Sequence, residues 1–388
     1  MKKIRYLCID DQPDEVTLEL KHLQRANRLL VFAEPSPPDS DFLTQIGQIQ
    51  TLRQDGKLDG LLIDLRLGQT PQKGEEPADY DAPLVASKLR TLMAQGEAAD
   101  FPIVLWSITS KLAKSYNRDV VSHDLFDLVL NKIELKNYDP PAADQLVSFA
   151  AAYDDVSAQK RNPTFWRDLL CVPDGVELDP RIGEDLALGV KDSPTHSLVR
   201  YVFEQIVQKP GPLIDEETLC ARLGIEAASL TGTPLGKKLD GVGRYAGPFS
   251  ETWRRWWWRS IERWWKSVDD AIPPILSLTA AERVKKLEEV HGCKRLRTAK
   301  PIASGYSSRF TTICQCLRKP LDPIDGFMLS DSGFRSWHER QYVCAQVALK
   351  PRAHRFDPGR LEPRARFDPA LLDAIEAERA RALREASK

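Results

Sequence analysis

Ile9-Asp10-Asp11, Leu61-Leu62-Ile63-Asp64, Ile103-Val104-Leu105-Trp106-Ser107 and Leu128-Val129-Leu130-Asn131-Lys132 are four apolar runs, each ending on polar or charged side chains. A short continuous apolar run predicts a strand buried on both faces of a parallel sheet. Helical patterns separate these runs. Val16, Leu20 and Leu23 follow Pro13 on one stripe, Phe42, Ile46 and Ile49 form a second, and Val85, Leu89 and Leu92 a third. A further helix is predicted from about Pro141 to Asp155, and Leu29 to Ala33 supplies one more strand. Strand–helix alternation of this kind predicts an α/β fold with a parallel, doubly wound sheet. In such sheets chemistry gathers beyond the carboxyl ends of the strands. Asp10, Asp11, Asp64, Ser107 and Lys132 would all arrive there.

The residue types suit one chemistry. Neighbouring carboxylates offer hard oxygen ligands for a cation such as Mg2+. A carboxylate such as Asp64 can attack a phosphoryl group and form an acyl phosphate. An ammonium and a hydroxyl can then stabilise the phosphoryl oxygens. Taken in this order at strand ends, the five residues resemble the receiver domain of bacterial response regulators, the CheY-like five-stranded fold. The resemblance spans about residues 1–135, roughly a third of the chain. It implies that Asp10 and Asp11 hold Mg2+ with Asp64, and that Arg66 stands beside this metal group. It also implies that Asp64 accepts the phosphoryl group from a histidine kinase or phosphotransfer protein, and that Ser107 and Lys132 complete the catalytic set. A flavodoxin-like domain with solvated strand-end acids is the bland alternative.

Four positions depart from the receiver pattern. Ile108 replaces the usual small residue after Ser107, Val129 stands where an aromatic switch residue is common, and Ile133 follows Lys132 in place of proline. Arg66, two residues after Asp64, is a long cation that could cover an acyl phosphate and slow its hydrolysis. The stretch from Gly68 to about Pro83, with Glu75, Glu76, Asp79 and Asp81, reads as an insertion beside the site: a cap, a partner surface or a solvated excursion.

At 388 residues the chain predicts two or three domains. The expected divisions are 1–157, a mainly helical 164–272, and a small α+β 273–388 with a basic tail. Net charge is −1 and seven cysteines are scattered without dense spacing, which fits a reducing, cytoplasmic setting. No apolar run nears the ~20 residues of a membrane span, and Met1-Lys2-Lys3-Ile4 runs into a strand, not a leader. Asp215 to Ile225 is a well-signalled helix with an acidic start and Gly224 past its end. Its ending resembles the first helix of a helix-turn-helix, but Glu226 to Gly241 is too poor in basic residues to serve as a recognition helix.

The segment Trp253-Arg254-Arg255-Trp256-Trp257-Trp258-Arg259-Ser260-Ile261-Glu262-Arg263-Trp264-Trp265-Lys266 reads as one amphipathic helix. Its tryptophans suit packing in a core, between domains or against a protein partner. Arg254, Arg255, Trp257, Arg259 and Trp264 could instead grip nucleic acid, and a membrane surface is the least favoured reading. Residues 302–318 and 342–349 are expected strands. Cys293, Cys314, Cys316 and Cys344, with His291 and His338, are zinc-type ligands at the wrong spacing, so buried free thiols are expected. The tail from Lys350 to Arg366 is basic, with a last helix from Pro369 to Ala386. No catalytic constellation is legible after residue 160. The expected function is a phosphoryl-accepting regulator that signals to a downstream protein effector. A phosphate sink or relay, of the kind found in bacterial antiphage phosphorelays, and phosphorylation-controlled nucleic-acid binding are the alternatives. Oligomeric state is not legible.

Overall fold

The computed structural model describes residues 2–68, 77–108, 124–159, 165–192, 194–267, 269, 271–331 and 333–362, with three separate tail positions at 373, 377 and 384. The tip of the 68–83 insertion, the segment between the fourth and fifth strands, and most of the tail helix lie outside these residues. Compactness groups the chain into two units that interleave in sequence. One comprises 1–171, 180–203 and 247–253; the other comprises 172–179, 204–246 and 254–388.

The first unit is an α/β layer structure. Strands β1 (Ile4–Ile9), β2 (Leu30–Phe32), β3 (Gly60–Asp64), β4 (Ile103–Ser107) and β5 (Leu128–Asn131) form one sheet in the order β2-β1-β3-β4-β5. Every pairing in it is parallel. β3 and β4 are buried at every residue, as their unbroken apolar runs require. Alternate side chains serve opposite faces. Leu7 and Ile9 join the core under α2 (Phe42–Gln54) and α3 (Ala82–Ala94), while Tyr6 and Cys8 join the core under α1 (Pro13–Ala26) and α4 (Ala142–Gln159). The sheet is therefore covered on both sides, the doubly wound arrangement. Gly60 begins β3 where the Tyr6 ring crosses it; a Cβ there would lie 2.3 Å from a ring carbon.

Helix ends follow local rules. Pro13 opens α1 with Asp14 and Glu15 in the first turn, a favourable charge placement at the positive end of the helix dipole. Asp41 caps α2 by accepting from the Thr44 N–H at 2.7 Å. Helices α5 (Phe165–Leu169), α6 (Pro180–Asp192) and α7 (Thr195–Tyr201) follow in this unit. Residues 247–253 belong here because Phe249 and Trp253 pack against Phe149 and Phe203, with ring centroids 4.8–6.4 Å apart.

The second unit contains α8 (Glu216–Leu223), α9 (Pro234–Gly243), α10 (Trp258–Lys266) and α11 (Ala280–Glu289). Asp215 caps α8 at its start, and Gly224 ends it in the left-handed region at φ 72°, as expected from the sequence. Thr279 and Glu282 form a reciprocal capping box on α11. The tryptophan segment departs from the single helix expected. Trp256–Trp257 form β7, antiparallel to β6 (Leu213–Ile214), and the helix starts only at Trp258. Residues 302–311 are not strand. A four-stranded sheet in the order β10-β11-β8-β9 is built from β8 (Thr312–Cys314), β9 (Lys319–Leu321), β10 (Gly326–Met328) and β11 (Tyr342–Cys344), and Ala345–Leu349 turn into helix α12. The β8–β11 pair is the parallel one.

Arg283 on α11 is fully buried and holds this unit together without a carboxylate. Its guanidinium donates to the carbonyls of Ile275 (2.8 Å), Phe310 (2.6 Å), Arg222 (3.1 Å) and Ala221 (3.3 Å). Burial is the main cause lowering its pKa, to about 10. Arg283→Ala is expected to destabilise the protein by more than about 3 kcal/mol, since each stranded buried acceptor costs roughly 1–3 kcal/mol. Arg283→Lys, whose ammonium cannot span the same carbonyls, should rescue little. Urea unfolding followed by tryptophan fluorescence measures both.

Candidate phosphoryl-acceptor site

The polar strand ends of the first unit meet as the parallel register dictates. Asp10 follows β1, Asp64 ends β3, Ser107 ends β4 and Lys132 follows β5. Asp10, Asp11, Asp64 and Ser107 are all buried. The Lys132 Nζ lies 2.6 Å from Asp10 Oδ2 and 2.8 Å from Asp64 Oδ1. Its ammonium also sits 5.0 Å from the centroid of the Trp106 ring, a cation–π contact. Backbone amides orient both carboxylates: Gln12 N–H donates to Asp10 Oδ1 at 3.1 Å and Arg66 N–H to Asp64 Oδ2 at 3.2 Å. Among the described residues, the buried Ser107 Oγ has no hydrogen-bond partner. A buried hydroxyl with no partner is costly, and it stands beside the strand that carries Asp64.

The charges shift one another. Burial raises the Asp10 pKa; the Lys132 ammonium pulls it down and Asp64 pushes it up further. Burial disfavours the Lys132 charge, but Asp64 and then Asp10 outweigh it, so the Lys132 pKa ends above its ordinary value. Asp11 is buried at this same end of the sheet.

Two supports lie behind the strand ends. Arg90 on α3 donates to Asp127 Oδ2 at 2.6 Å and to the Tyr153 hydroxyl at 2.9 Å. Tyr153 in turn donates to Asp127, and Asp127 accepts from the Ile103 N–H at 2.8 Å. This buried network ties the beginnings of β4 and β5 together, and so fixes where Ser107 and Lys132 emerge. A charged residue on the buried stripe of α3 was the available signal, and Leu89 and Leu92 masked it. Arg66, the long cation that could cover an acyl phosphate, pairs with Asp81, the residue preceding α3. That pair closes the base of the 68–83 insertion beside Asp64. A cleft of about 800 Å3 opens onto Asp10, Asp64 and Lys132 and extends along Val16 and Leu23 of α1 to Tyr138. Ile108 lines it, and Ile133 is 75% exposed next to Lys132.

Asp10 and Asp64 converge on a single cation, and their hard oxygens suit Mg2+. Among the described residues no group of three or more carboxylate, imidazole or thiol side chains is gathered into a metal-binding cluster. That holds for the zinc-type residues as well: Cys314 and Cys344 are buried, while Cys293 and Cys316 are partly exposed.

The tryptophan-rich candidates are engaged in packing and ion pairs. Trp257 and Trp264 are buried, as are Trp256, Trp258 and Trp265. Arg254 pairs with Glu216 at 2.9 Å and lies over the Trp256 ring. Arg255 donates to the Val207 carbonyl at 2.7 Å, and burial lowers its pKa. Arg259 is exposed and pairs with Glu262 at 2.9 Å. Among the described residues no helix is long and apolar enough to cross a membrane.

Compared with known proteins, the sequence matches no family model, and no curated protein is significantly similar to it.

Mg2+ is expected to raise the Tm by a few degrees, because ligands that bind only the native state stabilise it; Asp11→Asn should abolish the rise. The pH dependence has a definite sign. The native Asp10 pKa is raised, so in the metal-free protein its contribution to stability is present below the unfolded carboxylate pKa. That contribution is lost as pH rises through the native value. Mg2+ needs the deprotonated carboxylate, so the difference in Tm with and without Mg2+ should widen over this window and close at acid pH. Differential scanning calorimetry across the acid-to-neutral range checks it.

Proposed function

We propose that the first unit is a receiver domain of the response-regulator type and that Asp64 accepts a phosphoryl group from a histidine kinase or phosphotransfer protein. The observation that carries this reading is the convergence of Asp10 and Asp64 on the Lys132 ammonium at the carboxyl ends of parallel strands. The strand order β2-β1-β3-β4-β5 is the one in which a ligand crevice forms between β1 and β3, the strands that carry these two carboxylates.

In this mechanism a carboxylate oxygen of Asp64 attacks phosphorus. A new carboxyl–phosphorus bond forms, and the bond from phosphorus to the donor breaks as the donor leaves with its electron pair. Mg2+, held by Asp10, Asp11 and Asp64, would supply neutralisation of the phosphoryl oxygens. Lys132, already within ion-pair distance of Asp64, takes one phosphoryl oxygen as a partner. Ser107 donates its hydroxyl to another, which satisfies the orphaned Oγ. Asp10 keeps Lys132 in place. The product replaces a singly charged carboxylate with a group carrying close to two negative charges, and that change at the strand ends is the signal for a downstream protein effector.

Incubating the full chain with Mg2+ and acetyl phosphate and recording intact mass tests the reading. The wild type should gain one phosphoryl group, and Asp64→Asn none. Ser107→Ala should slow the gain on the order of 10²-fold, the cost of losing one preorganised donor. No gain in the wild type, with acetyl phosphate or with added kinases, would refute the proposal.

A further inference from the structure

The small sheet of the second unit contains a pair of sulfurs whose surroundings are unlike those of ordinary core cysteines. β8 and β11 lie side by side in parallel, with Tyr342 opposite Cys314, and each strand ends on a cysteine. The Cys344 N–H donates to Cys314 Sγ at 3.3 Å. Both residues are fully buried in the core formed with Leu321, Phe327, Val343 and Val347. Each sulfur also faces the amides of the turn that follows it. The Cys316 and Leu317 N–H groups approach Cys314, and those of Gln346 and Val347 approach Cys344.

Amide N–H groups converging on a sulfur stabilise its thiolate. The Cys344 thiol does most, by hydrogen bonding to Cys314; burial opposes, the amides assist, and the Cys314 pKa falls to about 6. Cys344, the donor of that hydrogen bond, moves in the opposite direction, and burial adds to its rise. The Cys344 amide, 3.3 Å from Cys314 Sγ, sets the two cysteines side by side. Cys316 has no such benefit: burial raises its pKa.

We propose that Cys314 and Cys344 are a redox-active dithiol that a small hydroperoxide oxidises to a disulfide, a modification site that stands independently of the phosphoryl reading. The Cys314 thiolate attacks one peroxide oxygen; the S–O bond forms, the O–O bond breaks, and the departing hydroxide takes a proton to become water. The Cys344 sulfur then attacks Cys314. The S–S bond forms, the S–O bond breaks, and the leaving hydroxide takes the Cys344 thiol proton to give a second water. The two sulfurs supply two electrons and the peroxide accepts them. Both sulfurs are covered, which excludes a bulky aromatic disulfide and restricts the oxidant to a compact neutral peroxide.

The test uses the reduced full-length protein treated with excess hydrogen peroxide, then denatured with an alkylating agent and mapped by peptide mass spectrometry. The expected result is a disulfide joining the Cys314 and Cys344 peptides in most chains. It should persist in Cys316→Ser and disappear in Cys344→Ser, where dimedone should instead trap a sulfenic acid on Cys314. A bulky aromatic disulfide should leave both thiols unmodified while the protein is folded. A crosslink through Cys316, or both thiols remaining free after peroxide, would overturn the proposal. If Cys344→Ser fails to fold, the wild-type and Cys316→Ser maps alone decide.

Discussion

A partly buried ammonium shared by two buried carboxylates ties the ends of three strands of the first unit together. Lys132 could not be removed from water alone, because an unpaired buried charge costs several kcal/mol. Its partners come from β1 and β3, on the far side of β4 from its own strand. The ion pairs can form only if every intervening strand is in register and ends at the same level. The sheet and the site therefore specify each other. A shift of one residue in β3 would turn Asp64 to the opposite face and leave Lys132 with one partner.

The same triad sets the electrostatics of the strand ends. Asp10 and Asp64 share one ammonium where a cleft reaches the strand ends. Burial is the main cause raising the Asp10 pKa, with the Lys132 ammonium opposing it and Asp64 adding to it. Under the proposed reading, Lys132 would exchange one carboxylate oxygen for a phosphoryl oxygen of greater charge. The remaining contacts limit how far this exchange spreads. Arg90, Asp127 and Tyr153 clamp the strands from behind, and the Arg66–Asp81 pair fixes the backbone that follows Asp64.

Much of this was legible in the sequence for a specific reason. Apolar runs bounded by Asp, Ser or Lys mark both the strand and the end at which it opens, so β1, β3, β4 and β5 and their terminal residues could be placed without coordinates. The charge pairing was not: Lys132 and Asp10 are 122 positions apart, and no local pattern predicts their contact. Arg66 was legible as a cation near Asp64, but its actual partner lies across an insertion. In the tryptophan segment, helical spacing of Trp253, Trp257 and Trp264 suggested one helix. Backbone pairing of Trp256 and Trp257 with Ile214 and Leu213 overrode that periodicity, as tertiary context commonly does for large aromatic residues. Cys314 and Cys344 failed as zinc ligands by spacing, yet the sheet brings them together through a long-range pairing.

The central claim is that Asp64, among three carboxylates at the strand ends, is the one that becomes phosphorylated. Borohydride reduces an acyl phosphate to an alcohol and so converts the modified aspartate to homoserine, which peptide mass spectrometry can locate. Applied to the wild-type protein after treatment with Mg2+ and acetyl phosphate, the account predicts homoserine at position 64 and unmodified aspartate at 10 and 11. Homoserine at position 10 or 11, or none at all in protein whose mass has risen by a phosphoryl group, would contradict it.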